Sequence, residues 1–134
     1  MRNLWLALTL LLLGLAPAQA QQAVIVPATT TQIPIAGGTT TRLTLITGAA
    51  GKSIYVTSVD LVPVSTAVVT FSYGTGTNCG TGTTTVTGVL TFGAGQTYSK
   101  GSGYGAVWVV PPANDLCITI TTAAAPGSIA YSQF

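Results

Sequence analysis

Residues 66–73 read TAVVTFSY, and this stretch decides the fold class. Every second position from Ala67 to Tyr73 is apolar or aromatic, whereas the positions between them are mostly threonine and serine. A period of two residues is typical of a β-strand with one face on a core and the other in solvent. We therefore predict a strand here, with Phe71 packed inside the protein.

The same alternation recurs on both sides of this strand. Residues 39–46 (TTTRLTLI) alternate, and residues 128–134 (SIAYSQF) read as a final strand. Residues 115–121 place three apolar side chains on one inward face: Leu116, Ile118 and Ile120. Glycines and prolines separate these segments, and no helical period lies between them. The pattern predicts an all-β fold, an antiparallel β-sandwich that is jelly-roll-like, with about eight strands.

Other segments fit the pattern less cleanly. Residues 52–64 are apolar on both faces and stop at Pro63, which predicts a bulged strand or a central, buried one. Residues 83–92 are predicted to form one strand. The remainder is predicted as two glycine-rich loops and one apolar strand, at residues 74–82, 93–103 and 104–110.

The first twenty residues have the features of a secretory signal. Arg2 precedes an apolar run at residues 4–15, and Ala18 and Ala20 form an A-x-A cleavage pattern. As a helix the apolar run spans about 18 Å, short of the roughly 30 Å hydrocarbon core of a bilayer. We predict cleavage after Ala20, a secreted or periplasmic protein, and no membrane span in the mature form.

The predicted organisation of the mature chain has two parts. Residues 21–36 contain Pro27 and Pro34, and proline cannot donate to a strand ladder. This segment is predicted to be an extended N-terminal arm or an edge strand. Residues 37–134 are predicted to be the β-sandwich domain.

The scarcity of charge excludes several functions. The chain has four Lys and Arg residues, two carboxylates and no histidine, and its formal net charge is +2. A serine or cysteine nucleophile would lack a histidine base, and two carboxylates are too few for most calcium sites. We expect Asp115 to stabilise a turn and Asp60 to point outward from a strand. The sequence predicts no enzyme, no cofactor, no metal site and no nucleic-acid partner.

The chain has two cysteines, Cys79 and Cys117. In an exported protein two cysteines indicate an intramolecular disulfide, although a free thiol or an intermolecular bridge are alternatives. Because Cys117 alternates with the inward residues of its strand, we expect the bridge to clip a loop to the outside of the sheet.

Four residues are candidate ligand contacts. Tyr98 and Tyr104 lie in the glycine-rich segment GAGQTYSKGSGYG with Lys100, and Asn78 lies in the loop that contains Cys79. Exposed tyrosines stack on sugar rings, and asparagine and threonine bond to hydroxyl groups. The alternative for the aromatic residues is core packing.

Two stretches carry a resemblance to a known group. YGTGTNCGTGT at residues 73–83, together with NDLCI at residues 114–118 and the final GSIAYSQF, resembles small β-sandwich proteins encoded by bacteriophages, prophages and some bacteria. Members are mostly of unknown function or virion-associated. The resemblance covers residues 54–134, and it implies a jelly-roll-like structural or adhesive unit with a Cys79–Cys117 bridge and no catalytic residues. The signal peptide departs from a virion protein assembled in the cytoplasm and favours export.

These features predict an exported, non-enzymatic structural or surface-interaction module of phage or bacterial origin. Its partner is predicted to be a second copy of the chain, through open strand edges, or a cell-surface glycan or protein. The alternative function is a carbohydrate-binding module.

Overall fold

The structure is a computed structural model that describes residues 30–101, 103 and 105–134. Its described part forms two antiparallel sheets packed face to face, which confirms the predicted all-β sandwich. The predicted signal peptide and residues 21–29 lie outside the described residues. The strands are β1 (Thr31–Ile35), β2 (Thr40–Ile46), β3 (Ile54–Leu61), β4 (Ala67–Thr75), β5 (Thr81–Thr85), β6 (Leu90–Phe92), β7 (Tyr98–Gly101), β8 (Trp108–Val110), β9 (Asp115–Thr121) and β10 (Gly127–Gln133).

The strands pair in a nested order. In the first sheet β1 pairs with β10, β10 pairs with β3, and β3 pairs with both β7 and β8. In the second sheet β2 pairs with β9, β9 pairs with β4, and β4 pairs with both β5 and β6. This order is that of a long hairpin rolled into two sheets, which is the jelly-roll arrangement. The strand count is ten rather than eight because β5–β6 and β7–β8 each fill one strand position as two pieces.

Strand β3 is central in the first sheet and is bulged at Thr57. On one side Ser58 pairs with Ala130 and Val56 pairs with the next residue along, so Thr57 has no ladder partner there. The ladders to β7 and β8 also stop on either side of Thr57. The extra residue turns both Val56 and Val59 inward, although they are three positions apart. Both predictions for residues 52–64 are therefore correct, because the strand is bulged and is also central in its sheet.

The predicted single strand at residues 83–92 is wrong, because β5 and β6 are separate. Between them the backbone N–H groups of Val86 and Thr87 both donate to the carbonyl oxygen of Phe71. The Thr87 hydroxyl in turn accepts from the Phe71 N–H at 3.1 Å. A side-chain oxygen thus replaces a ladder carbonyl, and the strand is interrupted.

The predicted loop at residues 93–103 is also only partly correct. It contains β7, which pairs with β3 at the edge of the first sheet. The predicted strand at residues 104–110 is reduced to the three residues of β8. The glycine-rich segment has only a weak local preference for a strand. Strand β7 forms there because it pairs with the long neighbouring strand β3.

Side chains from both sheets fill one core. The predicted inward residues Leu116, Ile118 and Ile120 are buried. Phe71 is also buried, and the centre of its ring lies 4.8 Å from the centre of the Trp108 ring. Burial of each large apolar side chain stabilises the fold by about 1.5–3 kcal/mol. Among the described residues no helix is long and apolar enough to cross a membrane.

Candidate binding site

A shallow groove of about 370 Å³ opens between β2 and the end of β9. Thr119 and Thr121 alternate with the core residues Ile118 and Ile120, so the groove lies on the outer face of the second sheet. We call it the threonine groove and define it by its lining residues: Thr39, Thr41, Thr119, Ile120, Thr121 and Thr122.

An irregularity in β2 lies beside the groove. The ladder pairs Thr40 with Ile120. It resumes three residues later on β2, where Leu43 lies opposite Ile118, which is only two residues away on β9. Strand β2 therefore has one extra residue opposite Thr119. Such bulges bend the strand and redirect its side chains, and they occur often beside functional sites.

The groove also contains an unusual backbone conformation. Thr122 has a φ of 78°, in the left-handed region. A β-branched residue adopts this region at a cost, because its side chain crowds the backbone. The surrounding structure holds Thr122 there, at the point where β9 ends and the lining of the groove continues.

The lining chemistry is uniform. Five of its six residues are threonines, and the sixth is Ile120. Each threonine hydroxyl donates one hydrogen bond and accepts others, whereas its methyl group offers an apolar contact. Among the described residues that line the groove there is no carboxylate, cation or aromatic ring, so the lining suits an uncharged partner rich in hydroxyl groups.

The predicted disulfide joins Cys79 to Cys117 beside the groove, with their Cα atoms 6.3 Å apart. Both cysteines are fully buried. Cys117 shares the outer face of β9 with Thr119, so the bridge holds residues 76–80 against the outside of the second sheet, as predicted. We call these residues the clipped loop.

Arg42 reinforces this attachment from β2. Its Nη1 atom donates to the carbonyl oxygen of Cys79 at 3.2 Å and to the Thr83 hydroxyl at 3.1 Å. Its Nε atom is buried and has no hydrogen-bond partner among the described residues. The chain's two aspartates are engaged elsewhere: Asp60 accepts from Ser99, and Asp115 accepts from the Gly48 N–H.

Asn78, a predicted contact residue, lies in the clipped loop. Its φ of 51° is in the left-handed region, which asparagine tolerates better than most residues. Its Oδ1 atom accepts from the backbone N–H of Thr44 at 3.3 Å and lies 3.5 Å from that residue's hydroxyl. Asn78 therefore ties the loop to β2.

Tyr98 and Lys100 lie elsewhere, on β7 at the edge of the first sheet. The Lys100 Nζ lies 5.9 Å from the centre of the Trp108 ring, and the Tyr98 ring lies 5.6 Å from that of Phe92. Partial burial raises the pKa of the Tyr98 phenol above its ordinary value of about 10. The structure therefore does not bring these two residues together with Asn78, and Tyr104 lies outside the described residues.

The threonines of the groove were not singled out from the sequence. Residues 119–121 read T-I-T on a predicted strand, and residues 39–41 read TTT at the start of another. These were the available signals, since alternating threonines predict a hydroxyl-bearing outer face. What the sequence does not show is that β2 and β9 are neighbours.

Comparison with known proteins gives no relative. No family model, no curated protein and no solved structure matches the chain. Within residues 30–101, 103 and 105–134, no group of three or more histidine, cysteine, aspartate or glutamate side chains is placed to hold a metal ion.

Proposed function

We propose that this protein is an exported, non-enzymatic module that interacts with a surface through the outer face of its second sheet. The observation that carries the proposal is the shared location of the threonine groove and the clipped loop. Cys117 and Thr119 stand two residues apart on the same face of β9, one bound to the loop and the other lining the groove. The threonine hydroxyls on this face can form hydrogen bonds with a partner.

The attachments of the clipped loop favour a preformed surface. The disulfide, Arg42 and Asn78 all hold the loop against the second sheet. A surface that is rigid before binding loses less conformational entropy when a partner docks. The bridge also agrees with an oxidising compartment, which supports export together with the signal sequence predicted at residues 1–20.

The strand edges favour interaction through a face rather than through strand addition. Pro34 removes a donor from β1, and β2 is irregular on both sides of Leu43. At the β7 edge, the exposed Lys100 lies opposite Val59 and adds a charge to the edge strand. The β5–β6 edge is interrupted. Each of these features opposes pairing with another chain.

Self-assembly is the second candidate, and an apolar patch on the outer face of the first sheet favours it. Tyr55 lies opposite Val109 and stacks on Phe134 with ring centres 4.2 Å apart. Val109 and Phe134 are about half exposed. Clustered apolar side chains of this kind often mark contacts between proteins.

Two measurements test the proposal. Oxidised protein comprising residues 21–134 is incubated with bacterial cell envelopes and with insoluble polysaccharides, and the bound fraction is measured after sedimentation. We expect saturable binding that is lost in the Cys79→Ala/Cys117→Ala double variant, because the clipped loop is released. Absence of saturable binding to every surface would contradict the interaction function.

Light scattering after size-exclusion chromatography separates the two candidates. A monomer at high concentration supports interaction through the second sheet. A defined oligomer that is converted to monomer by Val109→Ser would instead favour self-assembly through the apolar patch formed by Tyr55, Val109 and Phe134. The matched control is Val62→Ser, because Val62 is also about half exposed and lies beyond the other end of β3.

A further inference from the structure

We propose that the threonine groove binds a neutral saccharide unit. This inference rests on the proposed surface interaction and names its ligand class. Its basis is the chemistry of the lining, the shape of the groove and the way in which the backbone holds it.

The lining selects for hydroxyl groups. A saccharide presents groups that both donate and accept hydrogen bonds, as do the five threonine hydroxyls. A purely apolar ligand would cover these hydroxyls without bonding to them, which is costly. The methyl groups of the threonines offer apolar contact to the C–H groups of a sugar ring.

The lining also selects for neutrality. The nearest cation along the chain is Arg42, which follows Thr41 directly, and its Nη1 atom is bound to the clipped loop. An anionic ligand would lose hydration in the groove without gaining a counter-charge from the lining residues that the structure describes. A neutral sugar loses less, because hydroxyl partners replace its water.

The groove is suited to a ligand of this size. Its volume of about 370 Å³ falls at the small end of the range for small-molecule sites, about 300–1,000 Å³. Threonine has few side-chain rotamers, and the bulge in β2 and the left-handed Thr122 fix the backbone beneath them. A docking ligand therefore restricts few additional side-chain rotamers.

The test is a titration of isotope-labelled protein, residues 21–134, followed by backbone amide chemical shifts. The neutral probes are cellohexaose, maltohexaose and an N-acetylglucosamine tetramer, and a heparin-derived tetrasaccharide is the anionic probe. We expect millimolar affinity for at least one neutral probe, because the groove is shallow. Saturable shifts should centre on the amides of Thr119, Thr121 and Thr122.

Isosteric variants assign the binding to the hydroxyls. Thr119→Val and Thr121→Val each remove one hydroxyl from the groove, and we expect each to weaken binding by about tenfold. The matched control is Thr91→Val, which removes an exposed hydroxyl from the outer face of β6, outside the groove. This control should leave the affinity unchanged.

Three outcomes would overturn the inference. They are no saturable shift with any neutral probe at millimolar concentration, equal weakening by Thr91→Val, and stronger binding of the anionic probe. The sedimentation experiment separates this failure from that of the proposed function. If envelopes still bind while the groove variants have no effect, the surface interaction stands and its ligand site lies elsewhere.

Discussion

The guanidinium of Arg42 donates to the carbonyl oxygen of Cys79, 37 residues further along the chain. This hydrogen bond joins an edge strand to the clipped loop at the residue that also forms the disulfide. The Nε atom of the same arginine is buried and has no hydrogen-bond partner within the part of the chain that the structure describes. Arg42 thus makes two hydrogen bonds, to Cys79 and Thr83, at the expense of burying its Nε atom.

Replacing Arg42 tests this balance. Arg42→Ala removes the hydrogen bonds to Cys79 and Thr83 together with the apolar stem, and we expect a loss of about 1–2 kcal/mol in the free energy of unfolding. Arg42→Met keeps most of the stem and removes the unpartnered donor, so its loss should be smaller. Urea denaturation measures both, with the exposed Lys52→Ala as control. Equal losses in the two arginine variants would contradict the role of the stem.

The disulfide is expected to contribute a large share of the stability. Its cysteines are 38 positions apart, for which the chain-entropy model gives about 4 kcal/mol. Cys79→Ala/Cys117→Ala should therefore lower the urea midpoint strongly. Wild-type protein after reduction is the control, and it should behave like the double variant. A loss under about 1 kcal/mol would contradict the chain-entropy explanation for this bridge.

Two glycines allow close approach of backbone segments. A Cβ atom on Gly127 would lie 1.9 Å from the carbonyl oxygen of Asp60, and one on Gly48 would lie 2.2 Å from that of Asn114. We expect Gly127→Ala and Gly48→Ala each to destabilise the protein by about 1–3 kcal/mol or more. Thermal unfolding measures the effect.

Gly88→Ala is the matched control for these variants. A Cβ atom there would meet nothing within 4 Å, and the residue has no positive φ. This variant should be neutral or stabilise the protein by up to about 1 kcal/mol, because alanine restricts the unfolded chain. Losses as large as those of Gly127→Ala would refute the steric explanation.

Tyr98 predicts a pH dependence of stability. Its pKa is raised in the folded state because partial burial disfavours the phenolate. Below about pH 10 the phenol is neutral in both states, so its contribution is intact. As the pH rises through the unfolded and then the folded pKa, the unfolded chain loses the proton more readily, and stability falls.

Tyr98→Phe removes this titration and should flatten the decline. The measurement is the urea midpoint at several pH values from about 8 to 11 in both proteins. The two curves should run parallel below about pH 10 and separate above it. Parallel curves over the whole range would exclude Tyr98 as a source of alkaline instability.

The sequence predicted the fold where apolar alternation was regular. The bounds of β9 were predicted correctly from the positions of Leu116, Ile118 and Ile120, because one face of the strand is in the core. Strand β7 was missed because its four residues, YSKG, show no apolar alternation, and its pairing with β3 places it in the sheet. Long-range pairing of this kind leaves no local signal.

The candidate site was harder to predict from the sequence, because it also depends on long-range pairing. Asn78 was singled out, and the structure places it in the clipped loop, bonded to Thr44. The threonine groove depends on the β2–β9 ladder and on the extra residue opposite Thr119. Neither the ladder nor the bulge follows from the threonine pattern alone.

The nested pairing also has a consequence for how the chain folds. Paired residues are six positions apart near the tip of the rolled hairpin, at Thr75 and Thr81, and one hundred apart at Thr31 and Tyr131. Closing a longer loop costs more entropy, and topologies with distant pairings fold slowly. We expect the tip to form early and the pairing of β1 with β10 to come last, so a folding chain would expose β10 as an open edge until β1 pairs with it.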